Sequence, residues 1–161
     1  FAVDSLSDLL SDSGYRNHLV EVGGELRAQG RAPSGQPWRV AIERPSTAAR
    51  DLYAVVPLNN LAMATSGDYR NFFIEEGIRY SHTIDPRTGY PVTHRLASVT
   101  VLHEQAALAD GWATALNVLG PEAGLTLARQ EQLAVLMLEY DGEAFRELTT
   151  PNFDAILGKH R

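Results

Sequence analysis

At 161 residues the chain is long enough for one sizeable hydrophobic core, and 44% hydrophobic with 21% charged residues is the composition of an ordinary globular protein. A formal net charge of −6 with no basic stripe argues against general binding to nucleic acid or acidic membranes. The absence of cysteine excludes disulfides, thiolate catalysis and cysteine-ligated zinc or iron–sulfur sites, and no apolar stretch approaches the roughly eighteen residues of a spanning helix.

Residues 1–14 set Phe1, Val3, Leu6, Leu9 and Leu10 at helical spacing, with Ser13-Gly14 closing the segment. Asn17 to Arg27 reads as a strand interrupted at Gly23-Gly24, a pair that points either to a bulge or to something approaching the backbone closely. A turn over residues 30–36 brings Pro37 to Glu43 back as its hairpin partner. Leu52 to Pro57 and Leu61 to Ser66 read as two further strands, linked by turn chemistry at Asn59-Asn60. Gly67 to Pro91 is rich in turn formers and aromatics. Leu96 to His103 alternates as a strand does. The alanine-rich run Ala106 to Leu119 reads as a helix ended by Gly120-Pro121, and a second helix follows over Glu122 to Glu131. Leu133 to Tyr140 is an apolar strand, Asp141-Gly142 a hairpin turn, and Ala144 to Thr149 the partner. Mixed elements with several hairpins and no internal repeat give the α+β class, with largely antiparallel sheets and packed helices.

Two places carry chemistry. Asp110 and Thr114 stand four residues apart on the alanine-rich run, so a helix there puts a carboxylate and a hydroxyl on one face, one turn apart. Burying that pair among methyl groups needs a reason. Both offer hard oxygen atoms suited to Mg²⁺ or Ca²⁺; alternatively Asp110 caps a helix starting at Gly111 and Thr114 bonds back to the carbonyl four residues earlier. The second place is Tyr80-Ser81-His82-Thr83-Ile84-Asp85-Pro86-Arg87-Thr88-Gly89, a turn by composition preceded by more polar groups than a turn requires. His82 is there either a satisfied structural residue or a group that meets a ligand. Ser66-Gly67-Asp68-Tyr69-Arg70-Asn71 reads as a turn, and Glu75-Glu76 as a solvated face. His18, His94, His103 and His160 lack metal-ligand spacing.

Five motifs occur in a set order: Val-Glu-Val-Gly-Gly-Glu-Leu at 20–26, Pro-Trp-Arg-Val-Ala-Ile-Glu-Arg-Pro at 37–45, Thr-Ser-Gly-Asp-Tyr-Arg-Asn at 65–71, Ser-His-Thr-Ile-Asp-Pro-Arg-Thr-Gly at 81–89, and Ala-Asp-Gly-Trp-Ala-Thr at 109–114. In this the chain closely resembles the ApbE family, the FAD:protein FMN transferases once called thiamine-biosynthesis lipoproteins, from Phe1 to its end. The resemblance implies a T-fold-like architecture. The opening Phe1-Ala2-Val3-Asp4, without a methionine, then reads as a start partway into the family fold, so that residues 1–161 would be the C-terminal part of one flavin transferase domain.

The family's activity implies FAD as substrate, Mg²⁺ on its diphosphate, transfer of FMN to a threonine or serine hydroxyl of a target protein, and release of AMP. Residue by residue, Asp110 and Thr114 match the metal ligands, and Ile84 matches a position whose backbone touches FAD. His82 matches the histidine implicated in activity, with contact to the flavin nucleotide. Either His82 or a carboxylate near the metal, Asp110 foremost, would take the hydroxyl proton. Some relatives carry a second carboxylate where this chain has Ala113, which implies a thinner metal shell. A redox-complex subunit or assembly factor is the implied acceptor, and a periplasmic, membrane-anchored lipoprotein the implied setting. The alternatives are an FAD pyrophosphatase giving FMN and AMP, and a non-catalytic FAD-binding assembly protein.

Overall fold

The computed structural model describes residues 1–45, 51–67, 72–75, 78–142 and 144–158. In chain order the elements are α1 (Ala2–Asp12), β1 (His18–Val22), β2 (Glu25–Gln29), β3 (Trp38–Glu43), β4 (Leu52–Leu58), β5 (Ala62–Gly67), β6 (Phe72–Glu75), β7 (Ile78–Ser81), β8 (Ile84–Asp85), β9 (Tyr90–Pro91), β10 (Leu96–His103), α2 (Ala106–Leu119), α3 (Pro121–Gln130), β11 (Ala134–Asp141), β12 (Ala144–Thr149) and α4 (Pro151–Ile156). A six-stranded sheet in the order β1-β2-β5-β10-β11-β12 forms the centre, and every neighbouring pair in it is antiparallel. The expected α+β architecture is the one observed.

Side-chain alternation along the central strands builds two cores, because successive residues point to opposite faces. On β11, Val135 and Met137 join Ala64, Val99 and Val101 against the helix residues Ala109, Ala113, Leu116 and Ala128. Ala134, Leu136 and Leu138 instead join Met63 and Leu102 against Ile42, Val56 and Leu58 of β3 and β4 and Phe153 of α4. Burial on both faces explains why β11 reads as a continuous apolar run rather than an alternating one. A third cluster of Val3, Val20, Ala62 and Ala106 seats α1 beside the start of α2.

Several expectations are corrected. Gly23-Gly24 is neither a bulge nor a break within one strand: Val22 pairs with Glu25, so the glycines are the two-residue turn of a hairpin. Their φ values of 72° and 110° lie where glycine is favoured, and such turns require positive φ at both positions. The segment at 37–43 does not return as partner to that strand. β3 pairs with β4 in a separate ribbon, because β2 is already flanked by β1 and β5; the Trp38 indole, donating to the Gln29 carbonyl at 2.9 Å, and apolar packing of Ile42, Val56 and Leu58 with Leu26 and Ala28 tie the ribbon back to β2. The stretch at 67–91 contains two short hairpins, β6–β7 and β8–β9. Asp68 to Asn71 and Glu76, read as a turn and a solvated face, lie outside the described residues. α4 is an addition: Pro151 at the first helical turn and Phe153 with Ile156 on one face announce it, but over too few residues to show periodicity.

Candidate functional site

α2 is a helix for a simple reason. Alanine and leucine fill it, and Ala106, Ala109, Ala113, Leu116 and Asn117 form the buried stripe that lies on β5 and β10. Asp110 and Thr114 flank this stripe on the exposed side, one turn apart. They are therefore not buried among methyl groups as expected. Neither alternative reading survives either. α2 begins at Ala106 after Gln105, which places Asp110 inside the helix rather than at its cap, and the Thr114 hydroxyl lies 3.0 Å from the Ser66 hydroxyl of β5.

The cap comes from far away. Both carboxylate oxygens of Asp4, on α1, accept the first backbone N–H groups of α2, from Ala106 and Ala107, each at 2.9 Å. Arg27 of β2 donates to Asp4 at 3.2 Å and to Asp8 at 3.1 Å. Burial pushes the Asp4 carboxyl up, but the two backbone donors and Arg27 outweigh it, so the group sits below the usual carboxylate range. At the other end, in the last turn, His94 Nε2 donates at 2.7 Å to the Asn117 carbonyl, which otherwise accepts only a long 3.3 Å bond from the Gly120 N–H among the described residues. Gly120 ends the helix at φ 80°, and a Cβ there would stand 2.9 Å from the His94 ring.

Asn117 also reaches outward. Its buried amide donates to Thr83 Oγ1 at 3.2 Å, which docks the segment 81–84, and with it His82 and Ile84, onto the C-terminal half of α2. Val92 N–H donates to the Thr83 carbonyl at 3.0 Å and Thr83 N–H to Ser81 Oγ at 3.1 Å. Beyond Ile84, the Asp85 carboxylate accepts from the Arg87 backbone and guanidinium. These Arg87 hydrogen bonds hold the Asp85 carboxyl down at about 2. His82 and Ile84 are both exposed.

The donor set fits a hard cation. Among the described residues the Asp110 carboxylate meets no donor, whereas Asp4, Asp8, Asp51 and Asp85 are all ion-paired. It opens onto a cavity of about 110 Å³ whose other walls are Phe1 to Val3, Val22, Glu25 and Ala106. Gly111 beside it faces open space, since an added Cβ would meet nothing within 4 Å. Nothing among the described residues requires glycine there, and in a helix it costs about 0.5–1 kcal/mol relative to alanine. No group of three or more His, Cys, Asp or Glu side chains gathers among the described residues. A metal held here would take two side-chain oxygens and complete its shell with phosphate oxygens, water or carbonyls. Ala113, read as thinning that shell, is fully buried against the sheet.

Four residues of this arrangement escape sequence reasoning. Asp4 acts on partners about a hundred positions away in the chain, Asn117 sits in an apolar stripe, Ser66 reads as part of a turn, and His94 as scattered. His18 fits its bland reading, buried and bonded to Ser7 and to the Tyr15 carbonyl at 2.8 Å each.

Fold and site together define an antiparallel α+β protein with an exposed carboxylate–hydroxyl pair on a helix clamped at both ends. The ApbE family profile matches residues 1–137. The chain is 44% identical over 159 residues to the FAD:protein FMN transferase of Vibrio cholerae serotype O1, covering 99% of this chain and 48% of that protein. It is 43% identical over 157 residues to that of Escherichia coli K12, covering 98% and 45%. Among solved structures, the apo flavinyl transferase ApbE of Pseudomonas stutzeri superposes with a TM-score of 0.84 at 46% identity, over 98% of this chain and 48% of that one. The flavin transferase ApbE of Vibrio cholerae gives 0.85 at 43%, over 96% and 48%. The chain belongs to the ApbE family. It spans about half the length of the relatives it matches.

Proposed function

We propose that this chain carries the metal-binding helix and the histidine loop of an enzyme that moves FMN from FAD to a threonine or serine hydroxyl of a target protein, releasing AMP. The carrying observation is the exposed Asp110 carboxylate, which meets no donor among the described residues, stacked one turn from the Thr114 hydroxyl, in a chain whose relatives are named for this reaction. Asp110 and Thr114 would hold Mg²⁺. When bound, Mg²⁺ neutralises the diphosphate and stabilises the charge on departing AMP.

The chain's own groups do the rest. The acceptor oxygen forms a bond to the FMN phosphorus, the bond from that phosphorus to the bridging oxygen breaks, and the electron pair leaves on AMP. The hydroxyl proton needs a base. His82, exposed on a segment docked to α2, can take it, and a carboxylate committed to a cation is a weaker competitor for that role. The Ile84 backbone, in the two-residue strand β8, offers its edge to the flavin nucleotide. The setting that goes with this reading is a periplasmic, membrane-anchored lipoprotein acting on a redox-complex subunit or assembly factor, with residues 1–161 belonging to one transferase domain; family resemblance is its support.

The test is Asp110→Ala in the intact gene product, supplied with FAD, Mg²⁺ and a threonine-bearing acceptor protein, with the FMN-sized adduct followed by mass spectrometry. Adduct formation is expected to fall at least about 100-fold. Undiminished attachment would overturn the reading. Free FMN released by the unaltered protein without acceptor would instead indicate hydrolysis.

A further inference from the structure

We propose that Ser66 is a positioning residue for the cation, acting through Thr114; this rests on the metal reading above and goes beyond it. The Ser66 and Thr114 hydroxyl oxygens lie 3.0 Å apart, linking β5 to α2. A threonine hydroxyl has one proton and two lone pairs. If its proton is given to Ser66, both lone pairs of Thr114 stay available to a metal. If it accepts from another donor, one of them is consumed. Lending a lone pair to a cation also makes the O–H more acidic, so an acceptor placed on the proton strengthens the coordination. Either hydroxyl can donate across the 3.0 Å contact, so Ser66 is placed to take that role.

The position of Ser66 is built rather than accidental. Ala64, two residues back on the same face of β5, packs among Ala109 and Ala113 of α2, so Ser66 is directed at the next turn of that helix. Its neighbours are fixed on the strand. Thr65 Oγ1 lies 2.8 Å from Thr100 Oγ1 on β10, its register partner, and a Cβ on Gly67 would stand 2.5 Å from the Ala97 carbonyl. Ser66 thus sits on a strand held in register and pressed against β10, the kind of support that precise sites use. As a mere stitch the bond would contribute little, because it is exposed and β5 and α2 are already joined by packed alanines.

The experiment titrates Mn²⁺, a paramagnetic hard cation, into the intact gene product with saturating FAD, reading free Mn²⁺ by electron paramagnetic resonance against an FAD–Mn²⁺ blank. Ser66→Ala is expected to weaken Mn²⁺ binding about tenfold, Ser66→Thr to keep it within about twofold because it restores the hydroxyl, and Asp110→Ala to lose it. The thermal midpoint of Ser66→Ala should stay at that of the unaltered protein. If Ser66→Ala binds Mn²⁺ normally while Asp110→Ala does not, the role of Ser66 falls and the metal reading stands. The role falls equally if Ser66→Thr binds as weakly as Ser66→Ala. If Asp110→Ala binds normally, the metal reading itself falls.

Discussion

The helix that carries Asp110 and Thr114 and the segment that carries His82 and Ile84 are held in place by different physics. α2 is glued along its length by apolar contact with two strands and pinned at its ends by Asp4 and His94. The segment at 81–92 exposes most of its side chains and is anchored by polar bonds: Asn117 to Thr83, Val92 to the Thr83 carbonyl, and Arg87 to Asp85. The difference teaches where each part is vulnerable. On the proposed function, damage to the helix should appear as lost stability, and damage to the segment as altered handling of FAD with the fold intact.

The largest effect should come from the helix side. Asp4→Ala removes the acceptor of two N–H groups and leaves Arg27, only 15% exposed in its side chain, with one aspartate instead of two. A loss of about 1–2 kcal/mol is expected in urea unfolding. Asp4→Asn, which keeps one oxygen acceptor, should recover part of it. The sign with pH follows from the lowered Asp4 pKa. The carboxylate's contribution is complete above the ordinary value near 4 and is lost as pH falls through the lower folded value, so the gap between the unaltered protein and Asp4→Asn should narrow on acidification. A gap that stays constant would separate the cap from the ionisation.

The segment side should respond in the other way. Asn117→Leu keeps the heavy-atom count and branching of a residue that is 2% exposed but removes the amide that reaches Thr83. Thr83 is only half-buried and can turn to water, so stability should change by less than about 1 kcal/mol. KM for FAD in the intact gene product is expected to rise about three- to tenfold, on the scale of one hydrogen bond. An equal fall in stability, with KM unmoved, would make Asn117 part of the helix rather than the anchor of the segment.

The same contrast sorts what was legible in the sequence. Periodicity reports apolar contact, so α1, α2, α3, β5, β10, β11 and β12 were readable to within a residue or two, whereas β1 and β2 ran together as one strand, and Asp110 with Thr114 stood out as polar exceptions on an apolar face. Their exposure was not readable, because a stripe of alanines looks alike on either side of its border. Pairing was not readable where two strands compete for one neighbour, as β3 shows by choosing β4 over β2. Bonds spanning the fold, such as Asp4 to Ala106, leave no local pattern at all. His82 and Ile84 came from motif order alone, since a segment held by isolated polar bonds has no period.

The smallest effect concerns the turn after Ile84. The Arg87 hydrogen bonds keep the Asp85 carboxyl at about 2, so this contribution is present above the ordinary carboxylate pKa near 4 and is lost only as pH falls through about 2. The turn's ion pair should therefore be indifferent to pH throughout the range of any enzyme assay. Arg87→Gln should let the Asp85 pKa climb toward that ordinary value, a shift visible in a carboxyl-carbon nuclear magnetic resonance titration. Activity near neutral pH should barely change, because Arg87 is exposed and the backbone N–H of residue 87 still bonds Asp85. If Asp85 titrates at its old value in the variant, the backbone bonds hold the turn alone, and the segment is less dependent on side chains than the contrast with α2 implies.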